Sequence, residues 1–208
     1  MIMRILSYEN LIDPVLRDIR LDVIDFAGMK AGQTVLDVCC GTGAQVIEYS
    51  KKGLIATGID LEEEMLAAAY KNKHKLGLEN ASFYQGDATS MPFNDHSFDY
   101  VSISFALHDK EKSNRDKIVD EMKRVVKRQG YLLLIDFSIP LPRNIWGVAS
   151  RMVEFGAGGS HYQGFRNYSL EGGINSILES HGLNCVKTKH LKSGIVTVTK
   201  ASILADGL

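Results

Sequence analysis

Apolar, β-branched runs alternate with helical patterns along this chain of 208 residues. That alternation predicts a mostly parallel sheet with helices on both faces. Asp13-Pro14 reads as a helix start and Gly28 as its stop, with Val15, Ile19, Val23 and Phe26 on one face. Strands are expected at Thr34–Val38, Leu54–Ile59, Ala81–Gln85, Asp99–Ser104 and Tyr131–Phe137. The last is continuously apolar, which suits a strand buried on both faces. Helices are expected at Ala44–Lys52, after Asp60, and at Arg115–Lys127. Asp60 suits an N-cap, and Glu62, Glu63 and Glu64 fall where the helix dipole favours acids. Ile118, Met122, Val125 and Val126 form the apolar stripe of the later helix.

The texture changes at Ser138. Residues 138–168 hold the single Trp and the stretch GAGGSHYQGF, too short a piece for a core of its own. A helix at Leu170–Ser180 and two strands, Leu183–Leu191 and Ile195–Thr199, complete the pattern. Ser193-Gly194 makes a tight turn between those strands, so they should be antiparallel. The reading is one domain over residues 1–208, with an N-terminal helical cap (1–30) and a lid insertion (138–168).

Composition narrows the function class. The hydrophobic fraction is 45% and the charged fraction 24%, which excludes disorder as the whole answer. A formal charge of -1 excludes a net basic nucleic-acid coat, so no nucleic-acid partner is expected. Three cysteines, with Cys39 and Cys40 adjacent, argue against a disulfide framework and for a reducing compartment. They have no histidine or further cysteine at zinc spacing, so they read as turn residues and no metal is expected. Cys185 falls in a strand pattern and reads as core. MIMRILSYEN is too short and too soon charged for a signal peptide. The longest strongly apolar run, Leu132–Ile135, is far below a membrane span. A cytoplasmic chain is expected, as monomer or homodimer. Peripheral lipid contact stays compatible: the amphipathic Ile145–Phe155 could meet a lipid tail or a partner chain, or be buried within its own domain.

The chemistry concentrates in VLDVCCGTGAQV, Val35–Val46. It is a strand, an acid, a glycine turn and a helix. Gly41 and Gly43 let the backbone turn sharply and come close to a ligand, and the helix aims N–H groups at it. Asp37 ends the first strand and Asp60 the second. A nicotinamide dinucleotide site shares the second acid, but it wants a third glycine where Val46 stands. It also has no use for Asp37 beside a pyrophosphate. Asp37 fits a ligand with a cationic amine, and S-adenosylmethionine (SAM) has an ammonium, a carboxylate and a ribose but no phosphate. GDATSMPF, Gly86–Phe93, follows the third strand. There Asp87 could accept from an adenine amino group and the Ala88 N–H could donate to a ring nitrogen. Phe93 reads either as an apolar surface for the adenine or as core.

In this order the motifs resemble a class I SAM-dependent methyltransferase, similar to the ubiquinone/menaquinone C-methyltransferases. VLDVCCGTG, GID, GDATSMPF, FDYVSISFALHD and EMKRVVKRQGYLLLIDF carry the resemblance over Gln33–Phe137. It departs at Lys127–Gly130, KRQG, where such proteins commonly have a Pro-Gly-Gly turn, and altered turn geometry is expected there. The resemblance implies a Rossmann-like α/β sandwich with sheet order 3-2-1-4-5-7-6 and the last strand antiparallel. It implies SAM as cofactor, held by Asp37, Cys39, Gly41, Thr42, Gly43, Asp60, Leu61, Asp87, Ala88 and Ser104. It implies a lid over the methyl group, built from Tyr8–Asp13 and the insertion, and a small-molecule acceptor. SFALHD at the end of strand four would face that methyl group. His108 is then either a general base or a pocket and capping residue. Tyr8, His161, Tyr162 and Arg166 are candidates for acceptor contact, or loop residues packed on the domain. Gly156–Gly159 reads as a hinge or a flexible loop. Two other classes stay open: a nicotinamide-dependent oxidoreductase and a non-catalytic SAM-binding regulator.

Overall fold

The computed structural model describes residues 13–145, 147 and 159–203. Tyr8, the stripe from Trp146 to Phe155 except Gly147, and Gly156–Gly158 of the glycine cluster lie outside the described residues. In chain order the elements are α1 (Asp13–Ala27), β1 (Thr34–Val38), α2 (Ala44–Lys51), β2 (Ile55–Asp60), α3 (Glu63–Leu76), β3 (Ala81–Gln85) and β4 (Phe98–Ser104). There follow α4 (Lys112–Val125), β5 (Val126–Phe137), α5 (Gly159–Glu171), α6 (Ile174–Ser180), β6 (Leu183–Leu191) and β7 (Val196–Ile203). The seven strands form one sheet in the order β3-β2-β1-β4-β5-β7-β6. Pairing is parallel from β3 to β5, and β7 runs antiparallel to both β5 and β6.

Alternation along the strands builds two cores, one on each face. Leu36, Val38, Val101, Ile103, Leu132 and Leu134 meet Ile118, Met122 and Val125 of α4 and Ile174 and Ile177 of α6. Val35, Tyr100, Leu133 and Ile135 point the other way, onto Ile19, Val23 and Ile24 of α1, Val46 of α2 and Leu66 and Ala69 of α3. Burial on both faces is why β5 reads as a continuous apolar run over Leu132–Ile135. The chain leaves β1 for β2 on one side and later returns to β4 on the other. That reversal opens a crevice at the carboxyl ends of β1 and β4, where open α/β sheets bind ligands.

Several boundaries differ from the sequence reading. β5 starts at Val126, not Tyr131, because Phe98 pairs with Val126 before Tyr100 pairs with Tyr131. The KRQG segment is thus a bulge within the strand, and Lys127 Nζ donates to Asp99 Oδ1 at 2.8 Å beside it. Much of the supposed lid loop is helical: α5 covers Gly159–Glu171. The single helix expected at Leu170–Ser180 is divided, since Gly172 and Gly173 both take positive φ, 102° and 66°. Cys185 is exposed rather than core, because β6 is the edge strand and only its first residue, Leu183, is buried. The N-cap position of α3 is Glu62, not Asp60, whose carboxylate is engaged elsewhere.

Candidate active site

The glycine turn sits at the mouth of the crevice. Cys39, Gly41 and Gly43 all take positive φ, 55°, 53° and 75°, so the chain reverses tightly between β1 and α2. The two glycines serve different ends. A Cβ on Gly43 would stand 2.6 Å from Phe83 and 2.8 Å from Ala69, so this glycine lets α2 pack on β3 and α3. A Cβ on Gly41 would meet nothing within 4 Å and would project into open space. Cys40 is turned inward against Gly58, where a Cβ would come within 2.7 Å of its sulfur. Burial holds the Cys39 thiol up at about 12 and that of Cys40 well above its ordinary value, so both are neutral thiols.

Asp37 is buried at the floor of this crevice. Ser102 on β4 donates to its Oδ1 at 2.7 Å. Burial raises its pKa to about 7, against the opposing effects of the Ser102 bond and the Arg20 cation. Leu16, Ile19 and Arg20 from α1, Thr42 and Gln45 from the turn and α2, Ser104 at the end of β4 and Phe105 after it close the walls. Arg20, Gln45 and Phe105 were not singled out from sequence. Arg20 gave one signal, a charged residue beside the buried Ile19, Val23 and Ile24. Phe105 takes φ 52° and donates its N–H to Ile135 O at 2.8 Å, a geometry no local motif announces.

Asp60 ties the next strand to the turn. Its Oδ2 accepts the Gly41 N–H at 2.7 Å and its Oδ1 accepts the Glu62 N–H at 3.0 Å. A carboxylate has about four acceptor positions, so two remain for a ligand. Leu61, next to it, is an exposed large apolar side chain. Asp87 is exposed after β3. Its Oδ1 accepts from the Thr89 N–H and hydroxyl, both at 2.8 Å, which hold its pKa below the usual value. Ala88 is half-buried beside it, and Phe93 packs against the core edge-on to Phe98. Asp37, Asp60 and Asp87 therefore lie at or just beyond the carboxyl ends of β1, β2 and β3, in one row.

His108 lies on the other side of Phe137. It is 4% exposed, and its ring meets Phe137, His161, Phe165 and Tyr168 edge-on, with centroids 4.9, 5.5, 6.2 and 6.5 Å away. Phe137 in turn packs on Phe105 at the crevice wall, 5.9 Å between centroids. The α5 residues reach His108 because Gly164 rests on the Asp109 backbone, where a Cβ would lie 2.5 Å from a carbonyl oxygen. His161 Nδ1 is 3.6 Å from Asp109 Oδ2. Tyr162 is half-buried on the same helix, whereas Arg166 is exposed. Asp136 is fully buried, and its Oδ1 lies 2.7 Å from His108 Nδ1. Sequence reasoning missed Asp136, although it is an acid at the end of an apolar strand, the signal that marked Asp37 and Asp60.

Comparison with known proteins follows the same lines. Residues 35–130 match the family described as methyltransferase domain. The chain is 36% identical over 125 residues to a demethylmenaquinone methyltransferase of Oceanobacillus iheyensis, covering 58% of this chain and 51% of that protein. It is 35% identical over 123 residues to the ubiquinone/menaquinone biosynthesis C-methyltransferase UbiE of Escherichia coli, covering 57% and 48%. The chain thus spans about half the length of the curated relatives it matches. A SAM-dependent methyltransferase structure from Aquifex aeolicus superposes with a TM-score of 0.67 at 25% identity, over 89% of each chain. One from Methanococcus maripaludis gives 0.70 at 19% identity, over 97% and 91%, and shows the fold alone. The domain match, these relatives and the shared architecture make this chain similar to SAM-dependent methyltransferases.

Proposed function

We propose that this chain transfers the methyl group of SAM to a hydroxylated aromatic small molecule of the quinone-precursor class. The row of carboxylates at the ends of β1, β2 and β3, with the open face of Gly41 between the first two, carries the reading. The residues fit the cofactor. Asp37 takes the ammonium, directly or through water, and Arg20 supplies a cation for the carboxylate. Cys39, Gly41, Thr42 and Ser104 shape the channel for the methionine portion, and Gly43 supports it by letting α2 pack on β3 and α3. The remaining acceptor positions of Asp60 take the ribose hydroxyls. Leu61 and Ala88 flank the adenine, and Asp87 accepts from its amino group. When bound, SAM supplies a methyl group already activated on a sulfonium. The protein then has to position the acceptor in line and exclude water, effects worth roughly 7–11 kcal/mol.

The acceptor side is the aromatic cluster around His108. Flat rings suit a planar acceptor, and the curated relatives include an enzyme named for a quinone precursor. His108 takes the acceptor's hydroxyl proton, and His161, Tyr162 and Arg166 complete the surroundings. The reading treats the chain as one domain with residues 1–30 as a cap and 138–168 as a lid. The test uses SAM with an isotopically labelled methyl group and 1,4-naphthoquinol, which lacks a ring methyl. Label in the naphthol fraction is expected. Label retained on SAM, with the cofactor bound, would contradict turnover of this acceptor class.

A further inference from the structure

Asp136 is an acid that the cofactor row does not use. It lies near the end of β5, fully buried, and faces away from solvent into the loop after β4. Four donors converge on it. Oδ2 accepts the backbone N–H groups of Leu107 and His108, both at 3.2 Å. Oδ1 accepts the Phe137 N–H at 2.8 Å and lies 2.7 Å from His108 Nδ1. A carboxylate can only accept, so the ring nitrogen facing it must carry the hydrogen. The two backbone bonds also fix the loop that bears the ring, which leaves the imidazole little rotational freedom. We infer that Asp136 is a positioning residue: it locks His108 in the Nδ1–H tautomer, which leaves the proton-accepting lone pair on Nε2. This rests on the assignment of His108 to that side.

The consequence is a directed proton transfer. The acceptor's O–H bond breaks, its electron pair stays on the oxygen, and the proton goes to His108 Nε2. The imidazolium so formed is stabilised by the Asp136 carboxylate beside Nδ1. Among the described residues, the other ionisable groups around the ring include Asp109 next to it in the chain, His161 and Tyr168 from α5, and Arg115 from α4, which lies over Tyr168 at 5.5 Å. An amide in place of Asp136 would reverse the arrangement. Asparagine keeps both Oδ2 bonds only by turning its NH2 toward His108 Nδ1, at the loss of the bond from the Phe137 N–H. That nitrogen must then accept, and the hydrogen moves to Nε2.

The test is nitrogen NMR on protein labelled with 15N-histidine, at pH 8, with His108 assigned by its absence in His108→Gln. The wild type should show the Nδ1–H tautomer with and without S-adenosylhomocysteine, and Asp136→Asn should show Nε2–H. With 1,4-naphthoquinol as acceptor, Asp136→Asn should lower kcat by about 10²-fold or more, as His108→Gln does, while affinity for S-adenosylhomocysteine stays within about threefold. An Nε2–H tautomer in the wild type would overturn the proposal, and so would Asp136→Asn with an unchanged tautomer and full kcat. Should Asp136→Asn fail to fold, the wild-type tautomer decides alone. Absence of turnover by the wild type would defeat the acceptor reading and leave the tautomer measurement to decide the role of Asp136.

Discussion

Gly41 and Gly43 stand two residues apart in one turn, yet a side chain should harm them in different ways. Gly43→Ala drives a methyl group into Phe83 and Ala69 and adds the strain of a positive φ. It should cost roughly 2–4 kcal/mol of stability, most of it overpacking. Gly41→Ala carries only the backbone strain, about 1–2 kcal/mol, but its methyl group enters the crevice. Urea melts and calorimetry separate them: Gly43→Ala should be the less stable, and Gly41→Ala should weaken S-adenosylhomocysteine at least tenfold while staying folded. Equal stability losses would refute the division of labour. The sequence motif marked both glycines but not this difference, because which way a missing Cβ would point depends on Phe83 and Ala69, far along the chain. The same holds for Asp60. Its acidity at a strand end was legible, but its bond to the Gly41 N–H was not, and the sequence suggested a helix cap instead.

At the scale of elements, α4 and α5 are joined by a buried cation. Arg115 is almost fully buried, donates to the Leu107 carbonyl at 3.3 Å and pairs with Glu171, while its guanidinium lies over Tyr168. Glu171 is partly solvated and Arg115 is not. Removing the acid therefore strands a buried charge, whereas removing the arginine leaves a carboxylate that water can reach. Glu171→Ala should cost about 3 kcal/mol and Arg115→Met less, read by denaturant midpoints with both proteins at the same pH. The opposite order would show that the Leu107 and Tyr168 contacts outweigh the ion pair. Periodicity found α4 to within a few residues, yet it could not tell that Arg115 faces inward. Burial of an arginine depends on Glu171 from a helix whose beginning, at Gly159, lay inside a stretch read as loop. Two adjacent glycines, Gly172 and Gly173, were the available sign that this region holds two helices. Lys200 makes the same point at the far end of the chain: its Nζ donates to Ala27 O at 2.7 Å and lies 3.6 Å from the centre of the Tyr131 ring. It caps α1 from a strand 173 positions later, which no local pattern encodes.

For the whole molecule, the proposed cofactor site should couple ligand binding to proton release through Asp37. Its folded pKa, about 7, lies above the ordinary carboxylate value because of burial. An acid with a raised folded value contributes stability below the unfolded value, near 3.8, and loses it as pH rises through about 7. From this group, the ligand-free protein should melt at a lower temperature at pH 8 than at pH 5. A cationic amine favours the ionised form, so cofactor affinity should rise with pH through about 7 and level off above it. Thermal melts with and without S-adenosylhomocysteine across that range check both signs, and Asp37→Asn should flatten both. The sheet order came only from the family resemblance, whereas the row of acids was legible from sequence because each acid follows an apolar strand. The protonation state of Asp37 was not, since it follows from the depth of the crevice and the Ser102 hydroxyl on β4. Among the described residues no helix is long and apolar enough to cross a membrane.

The central claim is that this crevice holds SAM through Asp60 and the glycine turn. Calorimetric titration of the wild type and Asp60→Ala with S-adenosylhomocysteine, and of the wild type with NAD, tests it most directly. The account predicts saturable binding of S-adenosylhomocysteine at one site and none of NAD. Loss of a charged acceptor for the ribose hydroxyls should cost about 1.5–3 kcal/mol in Asp60→Ala, roughly a 10- to 150-fold loss of affinity. Binding of NAD in place of S-adenosylhomocysteine, or an Asp60→Ala affinity within about threefold of wild type, would contradict it.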